Sequence, residues 1–139
     1  MLSMETETLT VINASVDIVT ARQRGRALAL ELGFNGADVT LIAAAISEVA
    51  RNIVDHAQKG EILMSAVNSD LEGGRNGIQI IARDEGPGIR DVAQAMQYGY
   101  STRKGLGVGL PGAKWLMDEF DIASEMGRGT TITMKKWRR

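Results

Sequence analysis

The sequence predicts an α+β fold: an α/β two-layer sandwich in which one mixed sheet is covered on one face by helices, with a mobile lid before the last helix. Three observations predict it. Stretches of period-two alternation and stretches of helical periodicity follow one another in the order β-α-α-β-β-lid-α-β-β. At 139 residues, 44% of them hydrophobic, the chain is expected to form one domain, residues 1–139, around a single core. No internal repeat, low-complexity segment or linker interrupts it.

Thr8 to Asn13 alternates apolar and polar residues and is rich in Thr, Val and Ile, so it reads as a strand. Ser15 is placed to cap the helix that follows, which should run to about Leu32 and stop at Gly33. A second helix is expected from near Ala37 to about Ala57, because Leu41, Ile42, Ala45, Ile46, Val49 and Ile53 recur at spacings of three and four. Gly60 ends the connection. Glu61 to Asn68 and Gly77 to Asp84 read as two strands, with the polar stretch Asp70 to Asn76 as a hairpin loop. Glu85 to Lys104 holds Gly86, Pro87, Gly88 and Gly99; so long a connection is usually functional or mobile, and a short helix fits inside it at Asp91 to Gln97. A glycine-rich stretch then feeds a helix from about Gly109 to Glu119. Phe120 to Met126 and Thr130 to Lys136 form a last hairpin around Gly127-Arg128-Gly129.

Composition removes several function classes. The net charge is -1, so no general attraction to nucleic acid or anionic membrane is expected, and the basic end Lys135 to Arg139 is too short to change that. The absence of cysteine excludes disulfides, thiolate metal sites and thiol nucleophiles, and fits a reducing cytoplasm. Met1 to Glu7 lacks the basic and apolar regions of a signal peptide, and the apolar run Leu41 to Ile46 is too short to span a bilayer. A cytoplasmic protein is expected.

Three motifs carry the chemistry. Glu48 and Asn52 stand four apart and so share one helical face. Alone, the pair reads as an ordinary helix edge. In a site, Asn52 can give a neutral oxygen to Mg²⁺ and Glu48 can take a proton from an attacking hydroxyl. His56, the only histidine, stands one turn further on and reads as a helix C-terminal cation or an outer donor rather than a metal ligand. Asp84 ends an apolar strand before Glu85-Gly86-Pro87-Gly88. Its carboxylate suits an exocyclic amine of the adenine type, and Gly86 and Gly88 would let the backbone approach a flat ring. The third motif is Gly105-Leu106-Gly107-Val108-Gly109-Leu110. Gly107, Gly109 and Gly112 match a dinucleotide fingerprint, but no buried strand precedes them and no βαβ repeat surrounds them. A Walker A loop and the eukaryotic kinase motifs are also absent. What remains is a glycine loop whose free N–H groups at a helix start suit phosphate, with Arg103 and Lys104 adding charge toward the β and γ phosphates.

With these motifs in this order, the chain resembles the GHKL (Bergerat-fold) superfamily, which includes gyrase-type ATPases, histidine-kinase catalytic domains and MutL. The N box corresponds to Glu48 and Asn52, the first glycine box to Asp84 through Gly88, and the second to Gly105 through Leu110. Gly129-Thr130 matches the strand where that superfamily places a threonine near the adenine. Within it the chain looks most like the small stand-alone serine/threonine switch kinases of bacterial partner switching, through Ser47-Glu48-x-Ala50-Arg51-Asn52-Ile53, Gly105 to Gly112, and Leu116-Met117-Asp118-Glu119-Phe120. That resemblance implies an ATP- and Mg²⁺-dependent kinase, returning ADP, with Glu48 as catalytic base and Asn52 at the metal. It implies nucleotide contacts at Asn52, Asp84, Gly86, Gly88, Arg103, Lys104, Gly105, Leu106, Gly107, Val108, Gly109 and Thr130. It also implies partners: a STAS-domain antagonist in a stressosome as substrate, and a phosphatase of the PP2C type as activated target. The alternative is a nucleotide-gated, non-catalytic binding module of the anti-sigma kind. A fragment of a sensor kinase is a third possibility, for which His56 is a poor phosphoacceptor.

Overall fold

The computed structural model describes residues 7–68, 75–89, 92–96 and 109–139. The elements are β1 (Glu7–Ile12), α1 (Ser15–Glu31), α2 (Gly36–His56), β2 (Gly60–Asn68), β3 (Asn76–Asp84), α3 (Val92–Ala95), α4 (Gly109–Leu116), β4 (Glu119–Glu125) and β5 (Gly129–Trp137). The expected order holds. The loop between β2 and β3 falls largely outside the described residues, as do Gly99 and the rest of the expected lid from residue 97 onward.

The strands lie in the order β1-β2-β3-β5-β4, and all four pairings are antiparallel. A mixed sheet was the expectation, and this detail is corrected. The reason lies in the last hairpin. β3 and β4 are joined through α4 and run parallel, as a helical crossover requires. But β5 folds back between them and bonds to both, from Asp84↔Thr130 on one side to Ser124↔Thr130 on the other. The parallel strands therefore never touch.

One face of the sheet carries the core. Ile62 and Met64 of β2, Ile78 and Ile80 of β3, and Ile132 and Met134 of β5 are buried at alternate positions, beneath Ile42, Ile46, Val49 and Ile53 of α2. α2 lies centrally, with α1 and α4 packed against it. Gly25 of α1 allows the close approach: a Cβ there would run into Ile46 Cδ1.

The helix ends follow local chemistry. Ser15 was expected to cap α1, but Ala14 holds the cap position and gives no side-chain bond. Instead the Asp17 carboxylate reaches back to accept the N–H groups of Asn13 and Ala14, at 2.8 and 3.0 Å. α1 stops where expected: Gly33 has φ +91°, and Gly33 and Phe34 donate back to Leu30 and Ala29. α2 begins at Asn35, whose side chain accepts from the Asp38 N–H at 2.8 Å. α4 ends at Leu116, short of the expected Glu119, because Lys136 Nζ takes the Leu116 carbonyl at 2.8 Å and Glu119 already pairs with Lys135 in the sheet. On the exposed edge of the sheet, Arg24 Nη1 donates to the Leu9 carbonyl at 3.0 Å, occupying a backbone acceptor of β1.

Candidate functional site

α2 carries the site's first residues. Glu48 is only 9% exposed, in the helix that covers the core. A buried carboxylate is stable only with partners. Glu48 has two: its Oε2 accepts from Arg51 Nη1 at 3.1 Å, and its Oε1 accepts from the backbone N–H of Gly109 at 3.0 Å. Gly109 is the first residue of α4, so Glu48 places a negative charge at that helix's N-terminus, where dipole and free N–H both favour it. The contact joins the first motif to the end of the third across 61 positions of sequence. A carboxylate offers roughly four lone-pair sites. Among the described residues, two N–H donors use two of them.

Asn52, one turn further on, is half-buried. Among the described residues its side-chain amide makes no hydrogen bond. His56 is exposed in the last turn of α2. The helix then closes over Gln58, a non-glycine residue held at φ +70° whose N–H donates to the Ile53 carbonyl at 2.8 Å.

Asp84, 8% exposed, ends β3. Its Oδ1 accepts two backbone N–H groups, from Gly86 at 2.9 Å and Thr130 at 3.3 Å. Oδ2 has no donor among the described residues. Thr130, 4% exposed, shares a hydrogen bond with Ser124 at 2.8 Å, and Ser124 Oγ accepts from the Ile89 N–H at 2.7 Å. The tip of the last hairpin is tied down as well, by Gly127 N–H to the Pro87 carbonyl at 2.9 Å. Asp84, Gly86, Gly88 and Thr130 are thus brought together with β4 and β5. The fold itself requires glycine at two of these places. At Gly86 a Cβ would strike Ala57 at the end of α2, and Gly88, at φ +82°, would strike the Glu125 carbonyl.

The two clusters sit along one helix. Glu48 touches the start of α4 and Ala57 touches Gly86, nine residues later. At about 1.5 Å of rise per residue, roughly 13 Å separates them, enough for a base at one end and a phosphate chain at the other. Arg103, Lys104, Gly105, Leu106, Gly107 and Val108 lie outside the described residues, so Gly109 and Leu110 represent the second glycine box here.

Two members of the arrangement were not read from sequence. Arg51 was quoted only as part of a motif, yet it holds Glu48. Ser124 had a signal that went unused: once the hairpin turns at Gly127 to Gly129, Ser124 must face Thr130. Among the described residues no group of three His, Cys, Asp or Glu side chains could hold a metal by itself. The open amide oxygen of Asn52 fits Mg²⁺, which takes few protein ligands and fills its shell with phosphate oxygens and water.

Comparison with known proteins agrees with this geometry. Residues 13–136 match the family model of the histidine kinase-like ATPase domain. The serine/threonine-protein kinase RsbT of Bacillus subtilis (strain 168) is 52% identical over 123 residues, covering 88% of this chain and 90% of that protein. The anti-sigma F factor of Thermoanaerobacter sp. (strain X514) is 31% identical over 120 residues, covering 84% of this chain and 82% of that protein. Among solved structures, the RsbU and RsbW domains of Rv1364c from Mycobacterium tuberculosis superpose with a TM-score of 0.62 at 24% identity, covering 96% of this chain and a 33% share of that longer one. This last likeness is one of fold.

Proposed function

The chain belongs to the histidine kinase-like ATPase domain family, and on that premise we propose that it is an ATP-dependent protein serine/threonine kinase that works by partner switching. The observation that carries the proposal is the bond between Glu48 and Gly109. It sets a buried carboxylate against the helix start where a phosphate chain would end. In this reading the adenine amine donates to Asp84 Oδ2, while Oδ1 stays engaged with Gly86 and Thr130. The N–H groups of Gly105, Leu106, Gly107 and Val108, with Arg103 and Lys104, receive the phosphates, while the Gly109 N–H stays with Glu48. Asn52 would hold Mg²⁺, which would supply neutralisation of the charge that develops on the transferred phosphoryl group.

The transfer then needs one further group. The acceptor hydroxyl oxygen forms a bond to the γ-phosphorus as the bond from that phosphorus to the β–γ bridging oxygen breaks. ADP leaves with the electron pair, and the hydroxyl proton passes to Glu48. The low exposure of Glu48 favours this, since a base shielded from water is not satisfied by it.

We assign the acceptor to a serine or threonine of a STAS-domain antagonist and the downstream target to a phosphatase of the PP2C type, with the protein acting in the cytoplasm. No described helix is long and apolar enough to cross a membrane. A second reading, a nucleotide-gated binding module without transfer, is favoured by the likeness to anti-sigma F factors. Incubation with γ-labelled Mg-ATP and STAS-domain proteins of the same genome separates the two. Label on a mapped serine or threonine of one of them supports the kinase. Nucleotide-dependent binding without label supports the module.

A further inference from the structure

We infer that Arg51 is a positioning residue for the phosphoryl transfer: its guanidinium pins one oxygen of Glu48 so that the other stays aimed at the start of α4. This rests on the reading of Glu48 as general base. Arg51 stands three positions after Glu48 on α2, and its Nη1 lies 3.1 Å from Oε2. The Glu48 side chain is 10% exposed and that of Arg51 is 27% exposed, so the carboxylate is inside and its cation stands at the rim. A free glutamate side chain samples several rotamers, and holding it in one costs conformational entropy. A base must instead be held within roughly 0.5 Å of its working place. The Gly109 N–H holds only Oε1 and comes from another helix, α4. Arg51 is on the same helix as Glu48. With it in place, Oε2 is fixed and Oε1 lies against the start of α4.

A bland reading exists, that the pair only stabilises α2. The Glu48 side chain is 10% exposed, so a purely structural pair, once broken, would lower melting and leave the turnover of the folded protein nearly alone. A positioning role predicts slowed transfer by protein that is still folded and still binds ADP.

The test uses the full chain, γ-labelled Mg-ATP at saturation and the STAS-domain acceptor of the proposed reaction. Arg51→Met, Arg51→Lys, Glu48→Gln and the Glu48→Gln/Arg51→Met double variant are compared by single-turnover transfer, ADP affinity by calorimetry, and thermal melting. Arg51→Met is expected to slow transfer about 10- to 100-fold, the loss that misplacement of a catalytic group brings, with ADP affinity held and the variant still folded at the assay temperature. Arg51→Lys should recover part of the rate, since it restores charge without the planar fork. The double variant should be no slower than Glu48→Gln, because a positioning residue has nothing left to position. Transfer by Arg51→Met at the wild-type rate overturns the inference, and so does a double variant that shows the full product of both losses. If instead Glu48→Gln itself transfers normally, or the wild type labels no acceptor, the underlying reading has failed and the inference goes with it.

Discussion

Asp84 divides its work between two oxygens. Oδ1 organises the turn by accepting from Gly86 and Thr130, and Oδ2, which has no donor among the described residues, is the oxygen proposed to meet adenine. The substitution Asp84→Asn can keep the first role through its amide oxygen while presenting N–H to the adenine amine. We expect the variant to fold and to lose about 10- to 100-fold in ADP affinity, matching the roughly 1.5–3 kcal/mol of a hydrogen bond to a charged group. Calorimetry showing wild-type affinity in the folded variant would remove the adenine assignment. Gln58 gives a prediction of the opposite sign. Its φ of +70° carries a left-handed penalty of about 1–2 kcal/mol, part of which glycine returns as chain entropy. Gln58→Gly should raise stability by about 0.5–1 kcal/mol, read as a higher urea midpoint with unchanged slope. At this scale Glu48, Asn52 and Asp84 were legible because each stands beside a helix or turn signal. Arg51 was not, since what marks it is a contact rather than a residue type, and Ser124 is legible only through the hairpin register that sets it opposite Thr130.

Elements were legible where periodicity is strong and less so where two elements compete for the same residues. α2 was expected at Ala37 to Ala57 and runs Gly36–His56. α4 was expected to reach Glu119, and stops at Leu116 because sheet pairing and Lys136 claim the next residues. Sheet direction was misread because a helical crossover points to parallel neighbours, while the tight Gly127–Gly129 hairpin slides β5 in between. That hairpin supplies a test of its own. Gly127 and Gly129 both have positive φ, +81° and +113°. A Cβ on Gly127 would meet open space, whereas one on Gly129 would collide with the Asp84 carbonyl. Gly127→Ala should therefore cost only the backbone term, about 1–2 kcal/mol, and Gly129→Ala clearly more. Because Gly129 sits against Asp84, its replacement should also weaken ADP binding, and Gly127→Ala should not. Equal losses of stability and affinity in the two variants would mean that the last hairpin does not hold Asp84 in place.

Across the whole molecule, one helix links both ends of the site: α2 meets the glycine-loop helix through Glu48 and the Asp84 turn through Ala57. The antiparallel sheet beneath fixes Asp84 opposite Thr130, at the end proposed for adenine. The end proposed for phosphate adjoins a helix start that Glu48 itself holds. The central claim is that this carboxylate serves the reaction and not only the fold, and Glu48→Gln tests it. The glutamine oxygen can still accept from Gly109, so α4 keeps its N-terminal partner; its amide nitrogen cannot accept from Arg51, and the side chain cannot take a proton. The direct measurement is single-turnover phosphotransfer to the STAS-domain acceptor at saturating Mg-ATP, with ATP affinity measured on the same preparation. General-base contributions run from about 10² to 10⁴-fold, and the loose transition state of phosphoryl transfer points to the lower part of that range. The account predicts a fall of about 10²-fold in rate with ATP affinity unchanged. Transfer at the wild-type rate would contradict it and leave Glu48 as a helix cap alone.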